Sequence, residues 1–219
     1  MNFSITQKLA TELKDVGRYF HKRKWSLATS SNYSAKVSDG VLLISSSGHN
    51  KDYLQEHDFM LVDFNGSTIE SGEQRKPSAE TLLHTSVYEL FPEAGSVLHT
   101  HSVYASVLSR VYLNQGYLEL SNYEMLKALD TIKTHDISVQ IPIYPNSQNM
   151  QDIYRLFQTD AKKDKSMNAF LIAGHGLYTW SNTVLNARRH IEALEFLFEC
   201  HYLESVLKGG NNESLKSIQ

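Results

Sequence analysis

Ser96-Val97-Leu98-His99-Thr100-His101-Ser102 reads as a β-strand with two histidines standing two residues apart. Successive side chains of a strand point to opposite faces. His99 and His101 therefore project together, while Leu98 and Thr100 face the other way. Two parallel imidazoles are half of a metal site, and neutral imidazole is a common zinc ligand. Two polar residues alternating on the wet face of a half-buried strand would give the same pattern. The pair gains meaning only from the chain around it.

Immediately upstream, Lys76-Pro77-Ser78-Ala79-Glu80 opens a helix that runs to about Phe91, with Leu82, Leu83, Val87 and Leu90 inward. Pro92-Glu93-Ala94-Gly95 breaks it and feeds the histidine strand. Residues 102–110 follow as a helix, and Glu124–Leu129 as a short one. Nearer the start, residues 6–24 carry Leu9, Leu13, Val16 and Phe20 at helical spacing and end in basic residues, which suit a helix C-terminus. Ala35–Val37 and Val41–Ile44 flank a Ser38-Asp39-Gly40 turn as a hairpin, and Asp58–Asp63 is a further strand closed by Asn65-Gly66.

Downstream, Val139–Ile143 is a strand whose Pro142 argues for a sheet edge. A helix over 149–163 and a buried strand, Ala169–Ala173, lead into Gly174-His175-Gly176 and a strand Leu177–Trp180. The longest helix runs from Thr183 to Lys208 with Leu185, Ile191, Leu194, Leu197, Phe198, Tyr202 and Val206 near one stripe. Gly209-Gly210 ends it and leaves a frayed polar tail, about 209–219. Strands occur both as hairpins and separated by helices. The expectation is one α/β domain of the α+β type over 1–219, core about 6–205, its mainly antiparallel central sheet layered between helices.

A chain of 219 residues can bury a sizeable core. Its net charge of −3 offers no nucleic-acid or anionic-membrane surface, and no apolar run approaches the roughly 18 residues of a bilayer span. The expected partners therefore include no nucleic acid and no membrane. Met1–Thr6 lacks the basic and apolar regions of a signal peptide. The single cysteine, Cys200, excludes an internal disulfide and a multi-cysteine zinc site, and fits a cytoplasmic protein with an inert core thiol.

Any metal must then be held by histidine or carboxylate. His175 lies between two glycines at the end of a buried strand, where the backbone can turn sharply. It is the natural third ligand, although a turn histidine bonded to its own loop would look alike. Three histidines with an open position form a catalytic rather than a structural zinc arrangement. Ser31-Asn32-Tyr33-Ser34, Ser46-Ser47-Gly48 and Ser78 at a helix start offer the hydroxyls and free N–H groups that suit an oxyanion. Each taken alone reads first as a plain loop or cap, and Lys51 equally as an added charge or a solvated lysine. Glu80 and Glu124 are candidate acid/base groups, both near helix starts where negative charge is favoured anyway. His21, His49, His57, His84, His135, His190 and His201 lack a partner at ligand spacing and read as surface or packing residues.

Lys76-Pro77-Ser78-Ala79-Glu80, His99-Thr100-His101-Ser102 and Gly174-His175-Gly176, in this order and spacing, resemble the class II aldolase/adducin family over about residues 6–205. The resemblance implies an antiparallel sheet between helices, one zinc ion on His99, His101 and His175, a sugar-phosphate substrate, and a homotetramer with active sites at its interfaces. Asn32, Ser34, Ser47, Gly48 and Ser78 match the family's phosphate-binding positions. Ser31 stands where the family usually has glycine, and Ala79 where its aldolases often carry a second serine.

Asn122-Tyr123-Glu124-Met125-Leu126-Lys127 resembles the branch of the family that dehydrates 5-methylthioribulose 1-phosphate in methionine salvage. There the glutamate before the methionine is the acid/base residue, which implies Glu124 here. In the aldolases the glutamate of the Pro-Ser-x-Glu motif fills that role, which would instead imply Glu80. An aldolase or epimerase of the same fold, and a non-catalytic adducin-like module, are the rival expectations.

Overall fold

The computed structural model describes residues 3–69 and 77–216, with side chains over 4–69 and 77–209. Lys76 and the last three residues of the expected tail lie outside the described residues. One eight-stranded sheet runs through the molecule in the order β3-β2-β1-β4-β8-β7-β6-β5. Its strands are β1 (Asn32–Ser38), β2 (Val41–Ser45), β3 (Phe59–Asp63), β4 (Ser96–Thr100), β5 (Tyr117–Ser121), β6 (Ser138–Tyr144), β7 (Ala169–Ile172) and β8 (Gly176–Ser181). Every pairing is antiparallel except β6 with β7.

The helices are α1 (Phe3–Lys22), α2 (Thr81–Leu90), α3 (Val103–Val111), α4 (Met150–Lys163) and α5 (Val184–Lys216). Alternation along the strands divides the core into two layers. Leu43, Leu61, Leu98, Leu171 and Leu177 pack with α1, α3 and α5 on one face. Leu42, Val62, Val97, Phe170 and Trp180 pack with α2 and α4 on the other. The sheet lies between helices, as expected from the sequence.

Several features differ from expectation. Val139–Ile143 is not an edge: β6 lies between β7 and β5, a strand the sequence reading passed over. Pro142 is tolerated because β6 changes partners at that point. Residues Ser138–Pro142 pair with β5, and the β7 pairing begins only at Ile143. The long helix continues through Gly209-Gly210 to Lys216. Glycine weakens a helix by about 1 kcal/mol but keeps its N–H and C=O, so the ladder can pass through it. Leu185 and Val206, expected on the buried stripe, are exposed: Leu185 lies off the buried face that its neighbours Val184 and Ala187 form, and Val206 lies where α5 has run past the core.

The α2/α4 layer is tied together by aromatic rings. Phe157 of α4 stacks on Phe91 at 6.1 Å and meets Phe170 at 4.8 Å and Trp180 at 5.7 Å. It is fully buried. Phe157→Ala should therefore cost about 3–5 kcal/mol of stability, read as a lower urea midpoint. A loss under about 1 kcal/mol would show that this layer closes without it.

Candidate active site

β4 sits at the centre of the sheet between β1 and β8, and its C-terminal end carries the first two candidate ligands. His99 is fully buried and shares its face with Val97, while Leu98 and Thr100 point to the α5 side. His101 follows the last strand residue. Its N–H donates to the Trp25 carbonyl at 2.7 Å, and Ser102 then caps α3 by accepting from Ala105 N–H at 3.0 Å. The chain thus turns from strand to helix immediately after the pair.

His175 arrives from the β7–β8 turn. Gly174 takes φ +65°, which favours glycine. At Gly176 a Cβ would lie 2.0 Å from the Thr100 carbonyl oxygen, so only glycine lets β8 approach β4 this closely. Both glycines around His175 are thereby accounted for by backbone geometry.

The three imidazoles and the Glu80 carboxylate each place one ligand atom within 4.8 Å of the others. Nε2 of His101 lies 2.7 Å from Nε2 of His99, and Nε2 of His175 lies 3.0 Å from Oε1 of Glu80. His99 Nδ1 is 2.9 Å from the Leu177 carbonyl. A carbonyl only accepts, so Nδ1 carries the proton and Nε2 presents its lone pair to the cluster. Tyr178, opposite His99 in the β4–β8 register, stacks on its ring at 4.0 Å and 16°.

Burial favours the neutral ligand form. It pushes His99 well below the ordinary imidazole value and His101 down to about 4. Burial raises the Glu80 carboxyl, but His99, His175 and the hydrogen bond from Asn32 outweigh it and hold Glu80 well below the carboxylate range. Neutral imidazoles beside an ionised carboxylate are a donor set that fits a divalent metal.

A cleft of about 320 Å³ opens onto this cluster, lined among others by Ser31, Asn32, Ser47, Ser78, Glu80 and His101. Ser47 and Ser78 thus stand where an anion could meet them. The Ser31 hydroxyl is buried without a hydrogen-bond partner. Gly48 takes φ +85° in the loop beside Ser47. Lys51 is buried rather than solvated; its ammonium donates to the carbonyls of His49 at 2.7 Å and Thr29 at 3.3 Å. Burial lowers its pKa to about 8.

Other residues fall elsewhere. Ser34 is fully buried and bonded to His84 and Tyr88, so its hydroxyl is engaged below the cleft rather than in it. Asn32 reaches the cleft, but its amide is taken by Glu80 and His84. Glu124 opens a five-residue 3-10 turn on the surface, outside the cluster and the cleft of its own chain. It pairs with Lys127 at 2.5 Å and lies 3.8 Å from His135. His84, which the sequence left as a packing residue, is joined to the site. The missed signal is that Glu80, His84 and Tyr88 recur at i, i+4 and i+8.

Residues 11–202 match the family described as Class II Aldolase and Adducin N-terminal domain. The chain belongs to this family. A methylthioribulose-1-phosphate dehydratase of Xylella fastidiosa (strain 9a5c) is 46% identical over 191 residues, 87% of this chain and 86% of that protein. One of the same name from Marinobacter nauticus is 44% identical over 90% of this chain and 95% of its own. In fold, the L-fuculose-1-phosphate aldolase of Thermus thermophilus superposes with a TM-score of 0.73 at 21% identity, covering 93% of this chain and 97% of that one. The family and the cluster together make this a metal-site class II aldolase fold. Among the described residues no helix is long and apolar enough to cross a membrane.

Protein purified in the presence of a divalent metal should carry about one ion per chain. His99→Ala, His101→Ala and His175→Ala should each lower that content by at least about tenfold after dialysis, measured by inductively coupled plasma mass spectrometry. Undiminished metal in all three would place the ion elsewhere.

Proposed function

We propose that this chain dehydrates 5-methylthioribulose 1-phosphate to 2,3-diketo-5-methylthiopentyl 1-phosphate and water, with one zinc ion on His99, His101 and His175. The similarity at 44–46% identity to proteins named for that reaction, over nearly all of both chains, carries the reading. The converging His/Glu cluster supports it and disfavours a non-catalytic module, which has no use for aligned ligand atoms. A bound divalent metal supplies Lewis acidity to the carbonyl oxygen and so makes the neighbouring carbon-bound proton easier to remove.

The chain's own residues supply the rest. Ser47, Ser78 and the unpartnered Ser31 hydroxyl line the cleft for the phosphate together with Asn32, Gly48 follows Ser47, and the buried Lys51 ammonium sits on the carbonyl of the cleft residue Thr29. Taking the carbon-3 proton and releasing the carbon-4 hydroxyl as water leaves an enol, which tautomerises to the 2,3-diketone. Glu124 is the proposed proton-transfer residue. Exposed in its own chain, it would act on a neighbouring subunit's site, in keeping with a homotetramer. Exposed Val103, Val107 and Val111, spaced i, i+4 and i+8 on α3, offer apolar surface for such an assembly. A lone half-buried Cys200 suits a reducing cytoplasm.

One observation favours a second assignment for the proton. Glu80 already lies inside the cluster as a carboxylate, 3.0 Å from His175. The two glutamates separate by mutation. If Glu124 transfers the proton, Glu124→Gln loses about two to four orders of magnitude in kcat while keeping its metal. Near-normal turnover in that variant, with a loss of this size in Glu80→Gln, would move the role to Glu80.

The activity itself is tested by mass spectrometry of the product formed by the zinc-loaded protein. A product lighter by one water supports the dehydratase. Two shorter fragments would mean aldol cleavage, and an isomer of unchanged mass an epimerase.

A further inference from the structure

The carboxylate inside the cluster is the end of a buried chain of hydrogen bonds that runs away from the cleft. Asn32 Nδ2 donates to Glu80 Oε2. Asn32 Oδ1 meets His84 Nε2. His84 Nδ1 lies 2.8 Å from the Ser34 hydroxyl, and that hydroxyl lies 2.8 Å from the Tyr88 hydroxyl. His84 and Ser34 are fully buried and Tyr88 nearly so, which shields the inner members from solvent.

The direction of every bond follows from the carboxylate outward. The Asn32 amide turns its NH2 toward Glu80, to which Nδ2 donates, and so its carbonyl oxygen toward His84. A carbonyl only accepts, so His84 carries its proton on Nε2. The neutral ring then has a bare Nδ1, which accepts the Ser34 proton. Ser34 has no second proton, so Tyr88 must donate to it. Burial keeps His84 neutral, at about 4. Glu80, His84 and Tyr88 stand on successive turns at the start and along α2, while Asn32 and Ser34 alternate on β1. One helix and one strand thus hold both ends of the chain in register.

We propose that His84, backed by Ser34 and Tyr88, is a positioning residue that fixes the Asn32 amide and through it the rotation of the Glu80 carboxylate toward the cluster. The other histidine tautomer would set two donors, or two acceptors, against each other somewhere along the chain. Asn32 could then flip and present its carbonyl to the carboxylate. The inference rests on reading this cluster as the active site. It assigns no contact with substrate to His84, Ser34 or Tyr88.

Two measurements test it. Nitrogen-15 NMR of the zinc-loaded, histidine-labelled protein near neutral pH should show His84 protonated at Nε2 and bare at Nδ1. A proton on Nδ1, or on both nitrogens, would overturn the proposal. In turnover, His84→Phe keeps the ring volume but loses both bonds. It should lower kcat about 10–100-fold at full metal content, with KM little changed. His84→Gln, whose terminal amide can still donate to Asn32, should recover most of that loss.

Undiminished kcat in His84→Phe, or His84→Gln as slow as His84→Phe, would also overturn it. If His84→Phe fails to fold, the wild-type tautomer decides alone. If the wild-type protein forms no dehydrated product, the functional reading fails, and the tautomer still decides the positioning chain.

Discussion

The close antiparallel approach of β4 and β8 is the constraint on which the site depends. Gly176 has no Cβ, so its backbone can reach the Thr100 carbonyl. That pairing sets Tyr178 against the His99 ring and brings the Leu177 carbonyl to His99 Nδ1. One backbone acceptor then decides which imidazole nitrogen faces the cluster. The turn before Gly176 delivers His175 to the same place. Three imidazoles from two neighbouring strand ends converge because the strands themselves cannot shift without burying unpaired amides.

The site is asymmetric about the sheet. Its ligands lie at the C-terminal end of β4, between the helix that starts at Thr81 and the loop that precedes β8. The α2 side supplies Glu80 and the polar chain through His84. The opposite side supplies Glu195 of α5, a buried carboxyl that accepts from Thr100 Oγ1 at 3.3 Å. Burial raises its pKa to about 7. The end of β4 is therefore held by polar groups on both faces, Glu80 beside His99 and Glu195 beside Thr100, as well as by its ladder bonds. Such bracing keeps ligand atoms in place before a metal or substrate arrives.

Much of this was legible in the sequence, for reasons that differ residue by residue. His99 and His101 declared themselves by strand alternation, and His175 by its flanking glycines. The two-layer fold followed from hairpins interspersed with helices. β5 was missed although Leu118 and Leu120 alternate with Tyr117 and Glu119 over a run as long as β2, β3 or β4. Pro142 misled because a proline excludes a ladder bond only on the side where one is needed, and β6 exchanges partners there. Ser34 and His84 could not be separated from cleft residues or packing residues by type alone. Their roles depend on which hydroxyl meets which ring nitrogen across β1 and α2. Glu124 shows the same limit at a larger scale: in its own chain it is a surface glutamate paired with Lys127, and nothing about that position sets it apart from other exposed carboxylates.

The most direct test of the central claim is a crystal structure of the zinc-loaded protein with anomalous data collected at the zinc edge. The account predicts one peak per chain, about 2.0–2.1 Å from Nε2 of each of His99, His101 and His175. His99 Nδ1 should still donate to the Leu177 carbonyl. A zinc peak bound through other residues, or a His99 ring turned so that Nδ1 is the ligand, would contradict it.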